Sequence, residues 1–324
     1  MADPAVSLVV PLYNEEGCLA ELHRRLVAVM EKSGRSYEII FINDGSQDNT
    51  RQLLGELFAA DPNLVVIDLR RNYGQTAALA AGFDQARGET IISMDGDLQH
   101  LPEEIPLFLE KIDQGYDLVS GWRKKRIDNF ILRRLPSLIA NKMIKWISGM
   151  KLHDFGTTFK AYTRHIVKNL QLYGELHRFI PALTTKMGVK LIEIPITNVE
   201  RKTGQSNYGL SRVRKVMLDL ITVKFITSFI DRPLQLFGFI GLCLFAAGFA
   251  IGGIISIGFF FFELVIAENL GNLILAVTLI IVGALFICIG LLAEILARIY
   301  FRVHDQKPYF IKQVLEHRPA KECE

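Results

Sequence analysis

The chain has 324 residues, a formal net charge of +3 and 22% charged residues, so its charge gives no indication of a nucleic-acid partner. Hydrophobic residues make up 50% of the chain, and their excess lies after Asp231, whereas the preceding part has the composition of a soluble domain. The four cysteines have no metal-ligand spacing and imply no disulfide framework. The apolar run from Val6 to Leu12 is too short and too soon interrupted by polar residues to be a signal peptide.

Short apolar runs recur along the first part of the chain and alternate with stretches of helical character. The runs are Val6 to Val10, Glu38 to Ile42, Leu64 to Leu69, Thr90 to Met94 and Asp117 to Ser120. Helices are predicted between the first four runs, for example over Glu16 to Glu31 and Asn49 to Phe58. Strands that alternate with helices predict an α/β fold whose mostly parallel sheet is covered on both faces.

Polar loops that carry carboxylates follow three of these runs. The loops are Pro11 to Glu16, Asn43 to Asp48 and Asp95 to His100. Ligands of parallel sheets lie beyond the carboxyl ends of the strands, so the three loops are predicted to converge on one binding site. For single residues a structural role stays open, since Ser46 or Asp48 is also a suitable helix N-cap and Gly45 a suitable turn residue.

The Asp95-x-Asp97 pair has the clearest chemistry of the three loops. Two carboxylates on a tight loop can hold Mg²⁺ or Mn²⁺ beside the oxygens of a diphosphate. Such an ion offsets negative charge on a leaving nucleotide. The pattern alone is common in surface turns, but here it follows a buried strand and precedes Gln99.

Two long uncharged runs, Pro233 to Phe262 and Asn269 to Ala293, each exceed the roughly 20 residues needed to cross a bilayer. They predict two transmembrane helices rather than a hairpin buried in a soluble core. The connection between them is acidic, and basic residues flank the pair. These basic residues are Arg232, Arg298, Arg302 and Lys307. Because positive charge stays on the cytoplasmic side, both termini and the N-terminal domain are predicted to face the cytoplasm.

Basic and apolar residues interleave between Tyr208 and Phe229, which is typical of an amphipathic helix on an anionic membrane surface. Packing of that helix on its own domain is an equally open alternative. Small residues in the first apolar run would permit close helix packing, including that of a homo-oligomer. They are Gly238, Gly241, Gly248, Gly252 and Gly253.

Five motifs together resemble family 2 glycosyltransferases with the GT-A fold, in the branch of dolichyl-phosphate mannose synthases and bacterial undecaprenyl-phosphate glucosyltransferases. The motifs are Val10-Pro11-Leu12-Tyr13-Asn14-Glu15-Glu16, Phe41-Ile42-Asn43-Asp44-Gly45-Ser46, Arg70-Arg71-Asn72-Tyr73-Gly74-Gln75, Met94-Asp95-Gly96-Asp97-Leu98-Gln99-His100 and His153-Asp154-Phe155-Gly156-Thr157. The resemblance covers nearly the whole chain. It implies a GT-A catalytic domain over 1–207, amphipathic interfacial helices over 208–231, a transmembrane hairpin over 232–302 and a cytoplasmic tail over 303–324.

The resemblance also implies a donor site. Residues that would hold the base and ribose of the nucleotide are Pro11, Tyr13, Glu15 and Asp44. Residues that would hold the metal, Mg²⁺ or Mn²⁺, and the diphosphate are Asp95, Asp97 and Gln99.

On the acceptor side, the segment from Gly121 to Ser137 is similar to the family's acceptor loop, in which arginines and a serine engage phosphates. Its candidates are Arg123, Arg134 and Ser137. Arg201-x-x-Gly204-x-Ser206 resembles a later phosphate-facing motif, although Asn207 stands where the family commonly has lysine. Arginine suits this task because its forked donors match phosphate oxygens. Asp154 would be the catalytic carboxylate, acting as a general base or by orienting an arginine or the sugar.

The implied reaction is inverting transfer of a hexose from a nucleotide-sugar to a polyisoprenyl phosphate at the cell (inner) membrane. A phosphomonoester has a second pKa of about 6, so this nucleophile needs little help from a base. UDP-glucose is the first choice of donor, GDP-mannose and UDP-linked amino sugars stay open, and the carrier is undecaprenyl or dolichyl phosphate.

Two other functions compete with this interpretation. A processive polysaccharide synthase usually carries Gln-x-x-Arg-Trp, whereas the comparable region here reads Leu176-His177-Arg178-Phe179-Ile180-Pro181. A nucleotide-binding membrane scaffold without turnover would be expected to lack the metal carboxylates or Asp154, and all are present.

Overall fold

The computed structural model describes residues 3–124, 152–170, 172, 180–184, 188–199, 233–262, 269–302 and 309–317. The chain divides into two compact units, one formed by Met1–Val223 with Lys307–Glu324 and the other by Lys224–Gln306. The predicted amphipathic segment from Tyr208 to Phe229 lies outside the described residues.

The first unit is an eight-stranded sheet with helices between its strands. The strands are β1 (Val6–Leu12), β2 (Tyr37–Asn43), β3 (Leu64–Leu69), β4 (Thr90–Ser93), β5 (Leu118–Arg123), β6 (Lys160–Thr163), β7 (Leu191–Ile196) and β8 (Ile311–Leu315). The helices are α1 (Leu19–Ser33), α2 (Thr50–Ala60), α3 (Gln75–Gln85), α4 (Ile105–Asp113), α5 (Arg164–Lys168) and α6 (Ile180–Thr184). The predicted α/β class is therefore confirmed.

The strand order is β7-β5-β6-β4-β1-β2-β3-β8. Parallel pairing joins β1 to β2 and β4, β2 to β3, and β5 to β7. Only β6 and β8 run in the opposite direction among the described strands, since β6 is antiparallel to β4 and β5, and β8 to β3. The carboxyl ends of the other strands therefore lie at one edge, as the alternation of strands and helices predicts.

Alternating side chains of the strands feed two apolar cores, one on each face of the sheet. On β1, Val9 joins one cluster, whereas Leu8 and Val10 join the other. Helix α1 shows the matching helical period, because its buried residues recur three or four positions apart; they are Leu19, Leu22, Leu26 and Met30. Gly34 ends this helix in the left-handed region at φ +67°, which glycine adopts without a steric cost.

The second unit consists of α7 (Pro233–Phe262) and α8 (Leu270–Arg302). Within them, Leu234–Phe261 and Leu270–Leu296 are long and apolar enough to cross a membrane. Two of the glycines singled out above bring the helices together, since a Cβ atom on Gly241 or on Gly248 would lie 2.7 Å from a carbonyl oxygen of α8. These two glycines therefore serve packing within the pair, whereas Gly252 and Gly253 meet no other described residue within 4 Å.

Strand β8 was not anticipated from the sequence, which suggested only a tail after residue 303. It lies on the outer edge of the sheet, antiparallel to β3, with Val66 opposite Leu315 and Leu69 opposite Ile311. It is short, largely exposed and carries Lys312, which is typical of an edge strand. Residues that precede the apolar helices in the chain and residues that follow them therefore belong to the same sheet.

Candidate functional site

The loops that follow β1 and β2 are joined by hydrogen bonds between side chains of one and backbone groups of the other. The backbone N–H of Asn14 donates to Ser46 Oγ at 3.0 Å, and the Asn14 Oδ1 accepts the N–H of Gln47 at 2.8 Å. Asn14 adopts φ +56°, a conformation that asparagine tolerates better than most residues. The predicted nucleotide contact Tyr13 is 40% exposed beside this junction, with Glu15 partly buried.

Asp44 connects this junction to the loop between β3 and α3, Arg70–Gly74. Its carboxylate oxygens accept the backbone N–H groups of Tyr73 at 2.7 Å and Gly74 at 2.9 Å. Burial raises the pKa of Asp44 above its usual value, and these two hydrogen bonds act in the opposite direction. Gly45 adopts φ +68° and packs on the same loop, so the turn role considered for it is present in the structure.

The Asp95–Gln99 loop follows β4. The amide of Gln75, the first residue of α3, donates to Asp95 Oδ1 at 2.6 Å. The Asp97 Oδ1 accepts the N–H of Gln99 at 3.1 Å. Gln75 belongs to a motif noted in the sequence, but its contact with Asp95 could not be inferred from spacing.

These residues fit a hard divalent cation by chemistry, because Asp95, Asp97 and Gln99 all carry oxygen ligands. Among the described residues, no three His, Cys, Asp or Glu side chains are grouped closely enough to hold a metal ion by themselves. Mg²⁺ commonly takes only one or two protein carboxylates and completes its coordination with phosphate oxygens and water. This set of side chains therefore suits an ion that arrives with a diphosphate.

Asp154 forms a forked ion pair with Arg123, which is the last residue of β5. Arg123 Nε donates to Asp154 Oδ2 at 2.7 Å, and Nη2 donates to Oδ1 at 3.0 Å. The Asp154 side chain is 4% exposed and that of Arg123 15%, so the pair is largely withdrawn from water. Oδ1 also accepts the N–H of Gly156 at 3.0 Å. Two separately predicted site residues thus form one structural unit.

Glu193 on β7 holds the backbone at Asp154 and was not predicted from the sequence. Its carboxylate accepts the N–H of His153 at 2.8 Å and that of Asp154 at 2.9 Å, and it lies 2.9 Å from His153 Nδ1. The His153 ring stacks on Trp122 with centroids 4.3 Å apart. No local motif marks Glu193, since β7 and residue 153 meet only in the folded sheet.

His100 lies near Asp95 and is close enough to Arg123 and Asp154 to be affected by their charges. It is 1% exposed, and its Nε2 is 3.8 Å from Asp95 Oδ2. Burial lowers its pKa to about 4, while the charges of Asp95 and Asp154 act to raise it and those of Arg123 and Lys160 to lower it. The imidazole is therefore neutral at physiological pH. Its Nδ1 has no hydrogen-bond partner among the described residues.

The structure thus connects the predicted donor residues Asp44 and Asp95 through the β3–α3 loop and Gln75, and it brings Arg123 to Asp154. Pro11 lies at the end of β1 on the same edge of the sheet. Four predicted acceptor residues fall outside the described part of the chain. They are Arg134, Ser137, Arg201 and Ser206.

A mostly parallel α/β sheet with acidic loops at its carboxyl edge is the arrangement of the GT-A class. Residues 7–171 match the family described as glycosyl transferase family 2. The chain is also 39% identical over 321 residues to the dodecaprenyl-phosphate galacturonate synthase of Rhizobium johnstonii. This alignment covers 96% of this chain and 93% of that protein. The chain belongs to glycosyl transferase family 2.

Solved structures agree on the fold. Glucosyl-3-phosphoglycerate synthase from Mycobacterium tuberculosis, in complex with Mn²⁺ and UDP-glucose, superposes with a TM-score of 0.53 at 15% identity, over 69% of this chain and 79% of that one. Its complex with Mg²⁺ and UDP gives a TM-score of 0.52 at 15% identity, over 68% and 79%. The expected GT-A fold is confirmed.

Proposed function

We propose that this protein transfers a sugar from a nucleotide-sugar to the phosphate of a polyisoprenyl lipid in the cell membrane. The observation that carries the proposal is the 39% identity to a dodecaprenyl-phosphate galacturonate synthase, because the match covers 96% of the chain and thus includes both apolar helices. The site supports the same reaction, since one edge of the sheet combines acidic loops with Arg123, whose guanidinium donates to both oxygens of Asp154.

The donor is held by the loops that follow β1, β2 and β4. Pro11, Tyr13, Glu15 and Asp44 surround the base and ribose in this proposal. Asp95, Asp97 and Gln99 would hold a Mg²⁺ or Mn²⁺ ion, which when bound offsets the negative charge of the leaving diphosphate. Gln75 fixes one Asp95 oxygen, so the other oxygen is presented in a defined direction.

The acceptor side depends on Arg123 and Asp154. Both Asp154 oxygens accept N–H groups of Arg123, which supports a role in orienting that arginine over a role as general base. This agrees with the chemistry of the nucleophile, because a phosphomonoester with a pKa of about 6 is mostly ionised at neutral pH. Arg123 then aligns the phosphate, together with Arg134, Ser137, Arg201 and Ser206, and stabilises charge in the transition state.

The two apolar helices are proposed to form a transmembrane hairpin with both chain ends in the cytoplasm. Strand β8 supports this topology, because it follows the second helix and pairs with β3 of the N-terminal sheet. Residues before and after the hairpin must therefore lie on the same side of the membrane. The basic residues that flank the pair favour the cytoplasmic side. The boundaries at 207, 231 and 302 remain sequence predictions.

The proposed donor is a nucleotide-linked hexose, hexuronic acid or amino sugar. UDP-glucose is the first choice from the sequence, and the name of the Rhizobium relative adds a nucleotide-linked galacturonic acid to the candidates. Undecaprenyl phosphate is the proposed carrier, and GDP-mannose and UDP-linked amino sugars are the alternative donors.

The test is transfer by the purified full-length protein in detergent from these labelled nucleotide-sugars to undecaprenyl phosphate, with and without a chelator. We expect a lipid-phosphate sugar from one donor, lost on chelation and restored by Mg²⁺ or Mn²⁺, and lost in Asp95→Ala. Glu103→Gln serves as the carboxylate control, because Glu103 is more than half exposed and pairs with Arg25 of α1. Nucleotide binding without any lipid product would refute the transferase proposal and favour a non-catalytic scaffold.

A further inference from the structure

Residues 309–317, called the C-terminal segment below, are fastened to the first unit by several contacts besides the pairing of β8. The Tyr309 hydroxyl donates to Asp84 Oδ2 at 2.5 Å, and Tyr309 is only 4% exposed. Burial and this hydrogen bond raise the pKa of Tyr309 above its usual value. At the other end of the segment, the rings of His317 and Phe58 stack with centroids 4.0 Å apart.

A partly buried ion pair adds to this attachment. Arg87 Nη2 lies 2.6 Å from Glu316 Oε1, and both side chains are 13% exposed. The Gln85 amide donates to the other carboxylate oxygen of Glu316 at 3.1 Å. The segment is therefore held along its whole length and is not a loose extension.

The first residues of the segment contact the β3–α3 loop. The N–H of Arg70 donates to the carbonyl oxygen of Phe310 at 3.1 Å. The ring of Phe310 lies beside that of Tyr73, with centroids 6.5 Å apart and planes tilted by 47°. Tyr73 also packs on the apolar cluster that contains Tyr309. One side of the loop thus rests on the C-terminal segment.

The other side of the same loop faces the proposed donor site. The N–H groups of Tyr73 and Gly74 donate to the two oxygens of Asp44, and the next residue, Gln75, donates to Asp95. A shift of this loop would therefore change the surroundings of both carboxylates together. Contacts lead without interruption from Phe310 through Tyr73 to Asp44.

We propose that the C-terminal segment is a positioning element for the donor site, in which Tyr309 and Phe310 hold the β3–α3 loop against Asp44. The assignment of a nucleotide-sugar donor rests on the proposed function, whereas the positioning of the loop does not. A loop that is already ordered loses less conformational entropy when a ligand binds. The segment accordingly strengthens donor binding without touching the donor.

Phe310→Ala tests the proposal in the full-length protein, since the ring is 64% exposed and its removal opens no core cavity. His317→Ala is the control in the same segment, because it removes a ring stack and a hydrogen bond that lie on Phe58 instead of the loop. Phe310→Tyr keeps the ring and should behave as wild type. The first measurement is hydrogen exchange of peptides that cover residues 70–75, without ligand.

The loss of an aromatic pair should shift an opening equilibrium about two- to tenfold, so Phe310→Ala should speed exchange of these amides by about the same factor. His317→Ala should leave it unchanged. The second measurement is calorimetric titration with UDP and Mn²⁺, in which Phe310→Ala should weaken binding up to about tenfold and His317→Ala should not. Equal effects of the two variants, no effect of either, or faster exchange with unaltered UDP affinity would each overturn the proposal.

The two proposals fail in different ways. If neither UDP nor GDP binds the wild-type protein while Phe310→Ala alone releases the loop, the donor assignment is wrong and the positioning of the loop stands. If wild type makes the lipid product and loop exchange responds equally to both alanine variants, the transferase proposal stands and the positioning role is wrong.

Discussion

Glu193 offers a test of how the site is built, because its carboxylate joins β7 to the His153–Asp154 backbone. Glu193→Ala removes the acceptor for two backbone N–H groups and for the nearby His153 ring nitrogen. The N–H of Asp154 belongs to a residue that is 3% exposed, so water cannot readily replace the lost partner. His153 is largely exposed, and water can hydrate its groups.

Of the three interactions that Glu193→Ala removes, the hydrogen bond of the Asp154 N–H is therefore costly to lose, and the two made by His153 are not. A buried donor without a partner costs about 1–3 kcal/mol, so we expect Glu193→Ala to lose about 2–3 kcal/mol of stability. At about 2–4 °C per kcal/mol this lowers Tm by about 4–12 °C. Displacement of Asp154 would misdirect Arg123, and an error of about 1 Å in a catalytic group can cost about 100-fold in rate.

The assay is lipid-product formation by purified full-length protein, with kcat and the donor KM measured separately beside a thermal unfolding curve. We expect kcat to fall strongly while the donor KM stays near wild type, because the described hydrogen bonds of Glu193 lead to residues 153 and 154 and none leads to the donor loops. Glu193→Gln keeps one acceptor oxygen, so its kcat and Tm should lie between those of the wild type and of Glu193→Ala. The reasoning is refuted if Glu193→Ala lowers Tm but keeps wild-type kcat, since the orientation of Asp154 would then be irrelevant.

Three further predictions concern single side chains. Arg123→Lys removes the forked donor and should lower kcat at least about tenfold while preserving the positive charge, measured in the same transfer assay. Gly45→Ala should lose about 1–3 kcal/mol beyond Gly34→Ala in thermal unfolding, because both have positive φ but only at Gly45 would a Cβ meet backbone, at 2.5 Å. The hydrogen bond from Arg25 lowers the pKa of Glu103 in the folded protein. The contribution of this pair to stability is therefore present above the unfolded-state pKa of about 4.3 and is lost as the pH falls through the folded-state pKa. Since Glu103 is more than half exposed, Glu103→Gln should reduce this acid-dependent loss of stability by less than about 1 kcal/mol, seen by comparing Tm at neutral and acidic pH.

The elements that repeat a simple period were predictable from the sequence. The runs at Val6, Glu38, Leu64 and Thr90 all became strands, and the uncharged runs became α7 and α8. The fifth run extends to Arg123, which the apolar pattern did not indicate because Gly121 and Arg123 interrupt the apolar residues. Strand β6 carries the fully buried Lys160 and has no apolar alternation.

Contacts between distant segments explain what the sequence did not reveal in the site. The carboxylates of the strand-end loops were recognisable because each follows its own strand. Glu193 and Gln75 act only through partners contributed by other elements, at Asp154 and Asp95. Such partners depend on strand order, and β6 inserted between β4 and β5 is a feature that no local pattern encodes.

The position of β8 also constrains how the protein is made. The edge of β3 stays uncovered until residues 311–315 have left the ribosome, and by then both apolar helices have been synthesised. If only one helix entered the membrane, β8 would end on the far side and β3 would remain an open edge, which is prone to pair with other chains. With the proposed transmembrane topology, closure of the sheet therefore requires that both helices be inserted, and a chain with only one inserted helix keeps the edge of β3 open to aggregation.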